Sequence, residues 1–341
     1  MSPPSQPLPA SPSAPAAAVG TRVWLRFRIP ARPPFRWGHS LDFVSGFPAT
    51  RGEQVVAGPH LVKAWRIDGC LLLTRIGPWS GDDEGPGSGP GSGPGTGPGG
   101  GPGVGSDSPG VEVTVAAPHS PSEDVLDALT DRLRFYLSLD DDLAAFASAA
   151  AADPPFARVE HRLHGYHQVK FPSPYENIVW AILAQRTPIT AARAVKLRLM
   201  QHLNPPLTGF GAEVTPFPSL DQLADLPLDV LTGILGNSRK AGYLSGSVRR
   251  LREIEETFLR TGDVDEVERF LLSLPGIGPW SATFVMIRGL GRMERLPTDT
   301  ELLKAGQRVY GAEVTAPDLV SLAAPYGAQA GYWAHYLRAG G

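Results

Sequence analysis

Two features of this chain are built from residue types that can do chemistry at the spacing they have. The run LPGIGPW, Leu274 to Trp280, reads as a helix end, a glycine hairpin and a second helix start. Gly276 and Gly278 can take the positive φ of a tight hairpin at no steric cost. Pro279 suits the first position of the second helix, where its missing N–H is no loss. The amides of the turn then point outward together, a cradle for one phosphate. An acid follows in LPTDTE, where Thr298 and Glu301 have capping-box spacing, so a helix is expected to start there with Asp299 in its first turn. The macrodipole favours the ionised carboxylate at that place. Each feature alone is also an ordinary way to turn or cap a helix.

The elements that must position these residues follow from pattern. Residues 21 to 78 read as strands with loops between them, TRVWLRFRI, VVAGPHLVKAWRI and CLLLTRI, and VEVTVAA resumes strand character at Val111. Between them the Gly/Pro/Ser run of residues 81–110 is too poor in apolar side chains to fold, and it is read as an insertion between two strands. Residues 1–20 read as a disordered Pro/Ala-rich tail without signal-peptide order. The pattern turns helical from Ser120. Ser173 and Glu176 form a further capping box with Pro174 at the first position, and that helix must end near Gln185 because Thr187 and Pro188 restart one. Further helices are expected at 219–225, 228–235, 239–260, 264–273, 280–289, 299–310 and 327–338. The fold class is therefore α+β, with a sheet domain at 21–118 and a helical domain at 119–341.

Composition narrows the function classes. A chain of 341 residues with 42% hydrophobic content can bury a real core. No apolar run approaches the ~20 residues of a membrane span, so no membrane partner is expected. The single cysteine, Cys70, excludes a disulfide framework and a cysteine-ligated iron–sulfur cluster. The net charge of −3 argues mildly against nucleic acid. Local distribution matters more, and Arg239, Lys240, Arg249, Arg250 and Arg252 fall in a window without acids.

The hairpin and the acid together resemble the helix-hairpin-helix DNA glycosylases, whose hairpin is followed by a catalytic aspartate, and the nearest branch is the AlkA type. PSPYENIVWAILAQRTPITAARAV resembles the paired helices that meet at DNA in that family. FPSLDQLADLPLDVLTGILGNSRKAGYLSGSVRRL resembles the stretch leading into the hairpin, and PPFRWGHSLDFVSGFPA the start of the AlkA-type sheet domain. The resemblance implies a small antiparallel (TBP-like) sheet domain followed by an all-α bilobal domain. It also implies a monomer that acts on double-stranded damaged DNA, with the chromosome in the cytoplasm.

It further implies roles for particular residues. Breaking an N-glycosidic bond builds positive charge on the sugar, which a carboxylate stabilises, and Asp299 matches the family's catalytic aspartate. Members that also cut the backbone carry a lysine after the hairpin proline, where it forms a Schiff base. Here that residue is Trp280, which implies a monofunctional enzyme. The target base must be flipped into a pocket. Trp280 and Phe284, four apart on one helix face, and Phe43 are expected to wall it. Trp333, His335 and Tyr336 are candidates to close it. Gly327 stands where the family has an arginine, which leaves substrate range open. Gln185 and Arg186 match the position that fills the gap in DNA. Gly276, Ile277, Gly278, Arg239 and Lys240 are expected to grip its backbone. The carbonyls of Leu272, Leu274 and Gly276 match a monovalent-cation site at the hairpin, and no other cofactor is implied. Asp318, near another helix start, reads as a cap.

Three alternatives stay open. They are a glycosylase for deaminated or oxidised purines, a non-catalytic DNA-binding module, and a protein-interaction scaffold without salt-sensitive DNA affinity.

Overall fold

A computed structural model describes residues 17–79, 109–297 and 299–340; the rest of the expected tail, most of the insertion, and Thr298 lie outside the described residues. The first described elements are β1 (Val19–Gly20) and β2 (Arg22–Pro30), then helix α1 (Trp37–Gly46). Strands β3 (Gln54–Ala57), β4 (His60–Ile67), β5 (Cys70–Pro78) and β6 (Gly110–Ala117) follow. With β2 they form a five-stranded antiparallel sheet in the order β2-β6-β5-β4-β3. The stretch read as one strand from Val55 is two, because Gly58 at φ 60 turns the chain between β3 and β4. Asp68 (φ 46) and Gly69 (φ 80) make the tight β4–β5 hairpin that an Asp-Gly pair favours.

Helices α2 (Glu123–Leu137), α3 (Ala144–Ala151), α4 (Pro154–Arg162), α5 (Pro174–Ala184) and α6 (Ile189–Leu203) come next. A short hairpin, β7 (Leu207–Gly209) and β8 (Ala212–Val214), interrupts the helical half. It corrects the all-α expectation for residues 119–341. β1 pairs in parallel with β7, so residues 19–20 belong to the fold and not to the tail. The reason is burial. Leu207 and Val214 of this hairpin cover Val62, Ala64, Leu73 and Ala116 on the outer face of the sheet.

The remaining helices are α7 (Leu220–Ala224), α8 (Leu228–Leu235), α9 (Ser238–Arg252), α10 (Glu256–Thr261), α11 (Val264–Ser273), α12 (Pro279–Gly289), α13 (Thr300–Tyr310), α14 (Ala316–Ala323) and α15 (Ala330–Gly340). The helix expected over 239–260 is broken at Glu253–Glu255. Acids there oppose the dipole at a helix end and suit the start of the next one. The C-terminal helix begins at Ala330, because Gly327 leaves helical geometry at φ 52 and ψ −125.

Three cores hold these elements. The inner sheet face, with α1 and α2, buries Ile29, Val111, Val113, Val115, Leu129 and Tyr136. One helical lobe gathers Ile178, Ile182, Leu199, Leu244, Val267 and Val285, from α5 to α12. The other gathers Phe146, Phe156, Leu302, Trp333 and Tyr336, from α3, α4 and α13 to α15. Phe43 of α1 packs against both the sheet core and the second lobe, at the seam where the candidate site opens. No helix among the described residues is long and apolar enough to cross a membrane.

Candidate active site

The hairpin between α11 and α12 forms as its sequence requires, with one refinement. Gly276 has φ 81, and a Cβ there would stand 2.6 Å from the Tyr243 ring. Gly278 is instead the extended N-cap of α12 (φ −99, ψ 179), and a Cβ built on it meets nothing within 4 Å. Only Gly276 is therefore demanded by the fold. Pro279 is at the start of α12. Helix geometry leaves the first-turn amides without intrahelical acceptors.

Asp299 is the N-cap of α13 and not a residue of its first turn, and its Oδ1 accepts from the Leu302 amide at 2.9 Å. The carboxylate has two further partners. The Trp280 indole donates to Oδ2 at 3.3 Å, and one guanidinium nitrogen of Arg338 lies 2.8 Å from both oxygens. Burial alone would raise this carboxyl. The Leu302 amide, the Arg338 charge and the bonds from Trp280 and Arg338 outweigh it and hold the acid below the usual aspartate range.

Asp299 lies on the wall of a cavity of about 310 Å³ that is otherwise largely aromatic. Phe43 and Phe47 stack at 5.1 Å, and Trp280 and Phe284 stack at 5.4 Å with planes 5° apart. Trp280 is 57% exposed, an unusual place for an indole without a partner in function. Arg288, His335 and Arg338 complete the polar lining. His335 Nε2 pairs with the Tyr166 hydroxyl at 3.0 Å. Burial, with Arg288 and Arg338 beside it, pushes this imidazole well below its usual range, so it stays neutral.

The structure thus brings together Phe43, Trp280, Phe284, His335 and Asp299. Trp333 and Tyr336 do not join them. Trp333 is fully buried in the second lobe, its indole donating to Tyr310 at 3.0 Å, and Tyr336 donates to the Tyr166 carbonyl. On α15, His335 faces the cavity, and the adjacent Trp333 and Tyr336 are turned into the core. Phe47, Arg288 and Arg338 were missed. Arg288 had a signal, since residues 280, 284 and 288 continue one helical stripe. Arg338 had none, because only tertiary packing sets α15 against the start of α13.

Beside the cavity, a groove of about 500 Å³ collects Gln185, Arg186, Arg239, Lys240, Gly276, Ile277 and Gly278 from three separate segments. Thr187, Asn237 and Tyr243 join them. Arg186 takes φ 47, a left-handed conformation costly for a side chain with a Cβ, and thereby turns the α5–α6 junction outward. Arg186 and Arg239 are exposed and have no ion pair among the described residues. Lys240 is different. Its ammonium donates to Leu183 O and Thr187 Oγ1, both at 2.5 Å, and so braces the junction that carries Arg186. A third, largely apolar depression of about 720 Å³ shares Arg186 and Gly278 with the groove, and Phe47, Trp280 and Phe284 with the cavity. The two sites are therefore one continuous surface.

Of the carbonyls matched to a cation, Gly276 O accepts from the Gln185 side-chain amide and Leu274 O from Ile277 N. Each of these oxygens keeps a second lone pair, and no step below is routed through an ion. Asp318 closes a capping box with Thr315.

A hairpin groove joined to an aromatic, carboxylate-edged cavity between two helical lobes is the arrangement expected from the resemblance to helix-hairpin-helix DNA glycosylases. No family model matches the chain. It is 26% identical over 166 residues to a DNA-3-methyladenine glycosylase of Bacillus subtilis, covering 48% of this chain and 55% of that one. It is 30% identical over 209 residues to a probable bifunctional transcriptional activator/DNA repair enzyme AlkA of Mycobacterium tuberculosis, covering 59% of this chain and 41% of that one. The chain spans about half the length of these curated relatives. A solved 3-methyladenine DNA-glycosylase from Archaeoglobus fulgidus shares the fold, with a TM-score of 0.69 over 92% of this chain and 97% of its own at 19% identity. In sequence the chain is thus similar to 3-methyladenine glycosylase and AlkA relatives, and it shares the fold of the solved archaeal glycosylase.

Proposed function

We propose that this protein is a monofunctional DNA glycosylase that releases alkylated purines, 3-methyladenine among them, from duplex DNA alongside the chromosome in the cytoplasm. The observation that carries the reading is the Asp299 carboxylate, paired with Arg338, at the edge of an aromatic cavity continuous with the hairpin groove.

In this reading the groove holds phosphate through the hairpin amides, and Arg186 enters the duplex as the damaged nucleotide swings out. The base lodges among Phe43, Phe47, Trp280 and Phe284. The C1′–N bond then breaks with its electron pair going to the base, and the sugar acquires oxocarbenium character opposite Asp299. Water adds to C1′ through an oxygen lone pair, and the proton it sheds passes to bulk water. An acid held below the usual carboxylate range is a poor proton acceptor at neutral pH, so Asp299 contributes its charge and orients the water. Among the described residues no lysine lines the cavity, and Lys304 is paired with Glu301 at 2.9 Å, which favours hydrolysis over Schiff-base chemistry.

The test incubates wild type and Asp299→Asn with alkylated duplex DNA and assays free 3-methyladenine and 7-methylguanine. Release by wild type alone, with strand cleavage appearing only after alkali, is the expected result. Tight, salt-dependent binding without release by either protein would overturn it in favour of a binding module.

A further inference from the structure

The cavity carries more positive charge than a site for cationic bases would want. Arg288 is part of the cavity lining, 8% exposed, with its guanidinium 4.4 Å from the Phe43 ring centre and 5.2 Å from that of Phe47. Both terminal nitrogens are buried without a hydrogen-bond partner, and no ion pair engages them among the described residues. The groups that weigh most on it besides burial are Tyr166, Tyr136, Arg338 and Tyr332, with no carboxylate among them. Burial lowers its pKa only to about 10, so it remains a cation. The acid on the wall, Asp299, is already matched by Arg338. His335 is held neutral between the two arginines.

We infer that Arg288 is a specificity-determining residue that tilts the pocket towards damaged purines that are neutral and away from those that are permanently cationic. The inference rests on the glycosylase reading and narrows its substrate class. Aromatic rings attract a cation through the negative charge of their faces. Phe43 and Phe47 already hold Arg288 against their rings, so a cationic base lodged among them meets a like charge in the same wall. Through the poorly solvated wall such repulsion amounts to a selectivity on the order of tenfold. Cationic lesions regain part of this at the chemical step, since their glycosidic bonds are weaker. The filter therefore shows in ratios and not in raw rates.

The experiment measures kcat/KM for duplexes bearing hypoxanthine, which is neutral, or 7-methylguanine, assayed at mildly acidic pH where it keeps its charge. Wild type, Arg288→Met and Arg288→Lys are compared. Arg288→Met is expected to raise the cationic-to-neutral ratio by about tenfold, and Arg288→Lys to leave it near the wild-type value. An equal fall on both substrates would mark Arg288 as merely structural and overturn the inference. A second measurement needs no catalysis and no variant. Saturation-transfer NMR on the wild-type protein compares 9-methyladenine with 7,9-dimethyladeninium, a neutral base and its permanent cation. Tighter binding of the neutral probe is expected, and equal binding, or binding of neither, overturns the inference. A wild type that discriminates the probes but releases no base would sink the glycosylase reading and leave charge selection standing.

Discussion

The aromatic cavity and the junction between the sheet and α5–α6 are made of the same materials, buried charges against aromatic rings, with different consequences. At the junction Glu53 is fully buried between Lys63 at 3.5 Å and Lys196 at 3.2 Å, and Lys196 also donates to Ala49 O. Each lysine rests on a ring, Lys63 near Trp65 and Lys196 near Phe217. Glu176 lies beside them with one oxygen unpartnered, and burial, with Glu53 adding like charge, pushes it up to about 7. Strong perturbation is often taken to mark function, and by that standard Glu176 outranks Asp299. Yet the junction charges answer one another and fasten β3 and β4 to the helices. Asp299 is less perturbed but borders a cavity that a ligand can enter. Where a charged group faces is more informative here than how far its ionisation is shifted.

That contrast can be broken by substitution. The largest effect is expected from Asp299→Asn, a loss of base release of roughly a hundredfold to a thousandfold with little change in stability. Asparagine still caps α13, so thermal unfolding and single-turnover excision measured together separate charge from folding. Lys196→Ala should do the reverse. Breaking a buried pair from one side costs about 3–5 kcal/mol, read by urea unfolding, with excision by the remaining folded protein preserved.

The two hairpin glycines sharpen the comparison at smaller scale. Gly276→Ala combines a positive φ with a clash against Tyr243 and should cost about 1–3 kcal/mol. Gly278→Ala should leave stability within about 0.5 kcal/mol and weaken DNA binding, because its Cβ points into open space where phosphate would approach. Equal unfolding midpoints for the two would refute this division.

The smallest effects concern pH. Glu176 has its folded pKa raised from 4.5 to about 7, so its contribution to stability is fully present below 4.5 and is lost as pH rises through about 7. Glu176→Gln should therefore gain stability relative to wild type at pH 8.5 and show less gain at pH 5. Asp299 has the opposite sign. Arg338→Ala removes a group that lowers its pKa, so the acid limb of kcat/KM should move to higher pH.

The sequence was most legible where function and local geometry coincide. A glycine turn followed by proline specifies a hairpin and a helix start whatever surrounds them, and the 280–284 spacing fixes a shared helix face. The break at Gln185 and Arg186 was readable for the same reason. It was less legible where one side chain could serve two local purposes. Glu176 has capping-box spacing with Ser173, and Ser173 does accept from its amide at 3.2 Å, but the carboxylate is buried towards the junction lysines. Capping spacing likewise gave Asp299 a helix start and misplaced it by one position.

By itself, then, the sequence determined the hairpin, the acid beyond it, the aromatic pair on α12 and the sheet-then-helices order, because each is set by contacts within a few residues. Tertiary structure alone decided that Arg338 would pair with Asp299, that His335 and not Trp333 would face the cavity, that β7–β8 would cover the sheet, and that Arg288 would lie against Phe43. Those outcomes depend on which helix faces meet across two lobes and a sheet, and periodicity along one segment carries no information about its partner.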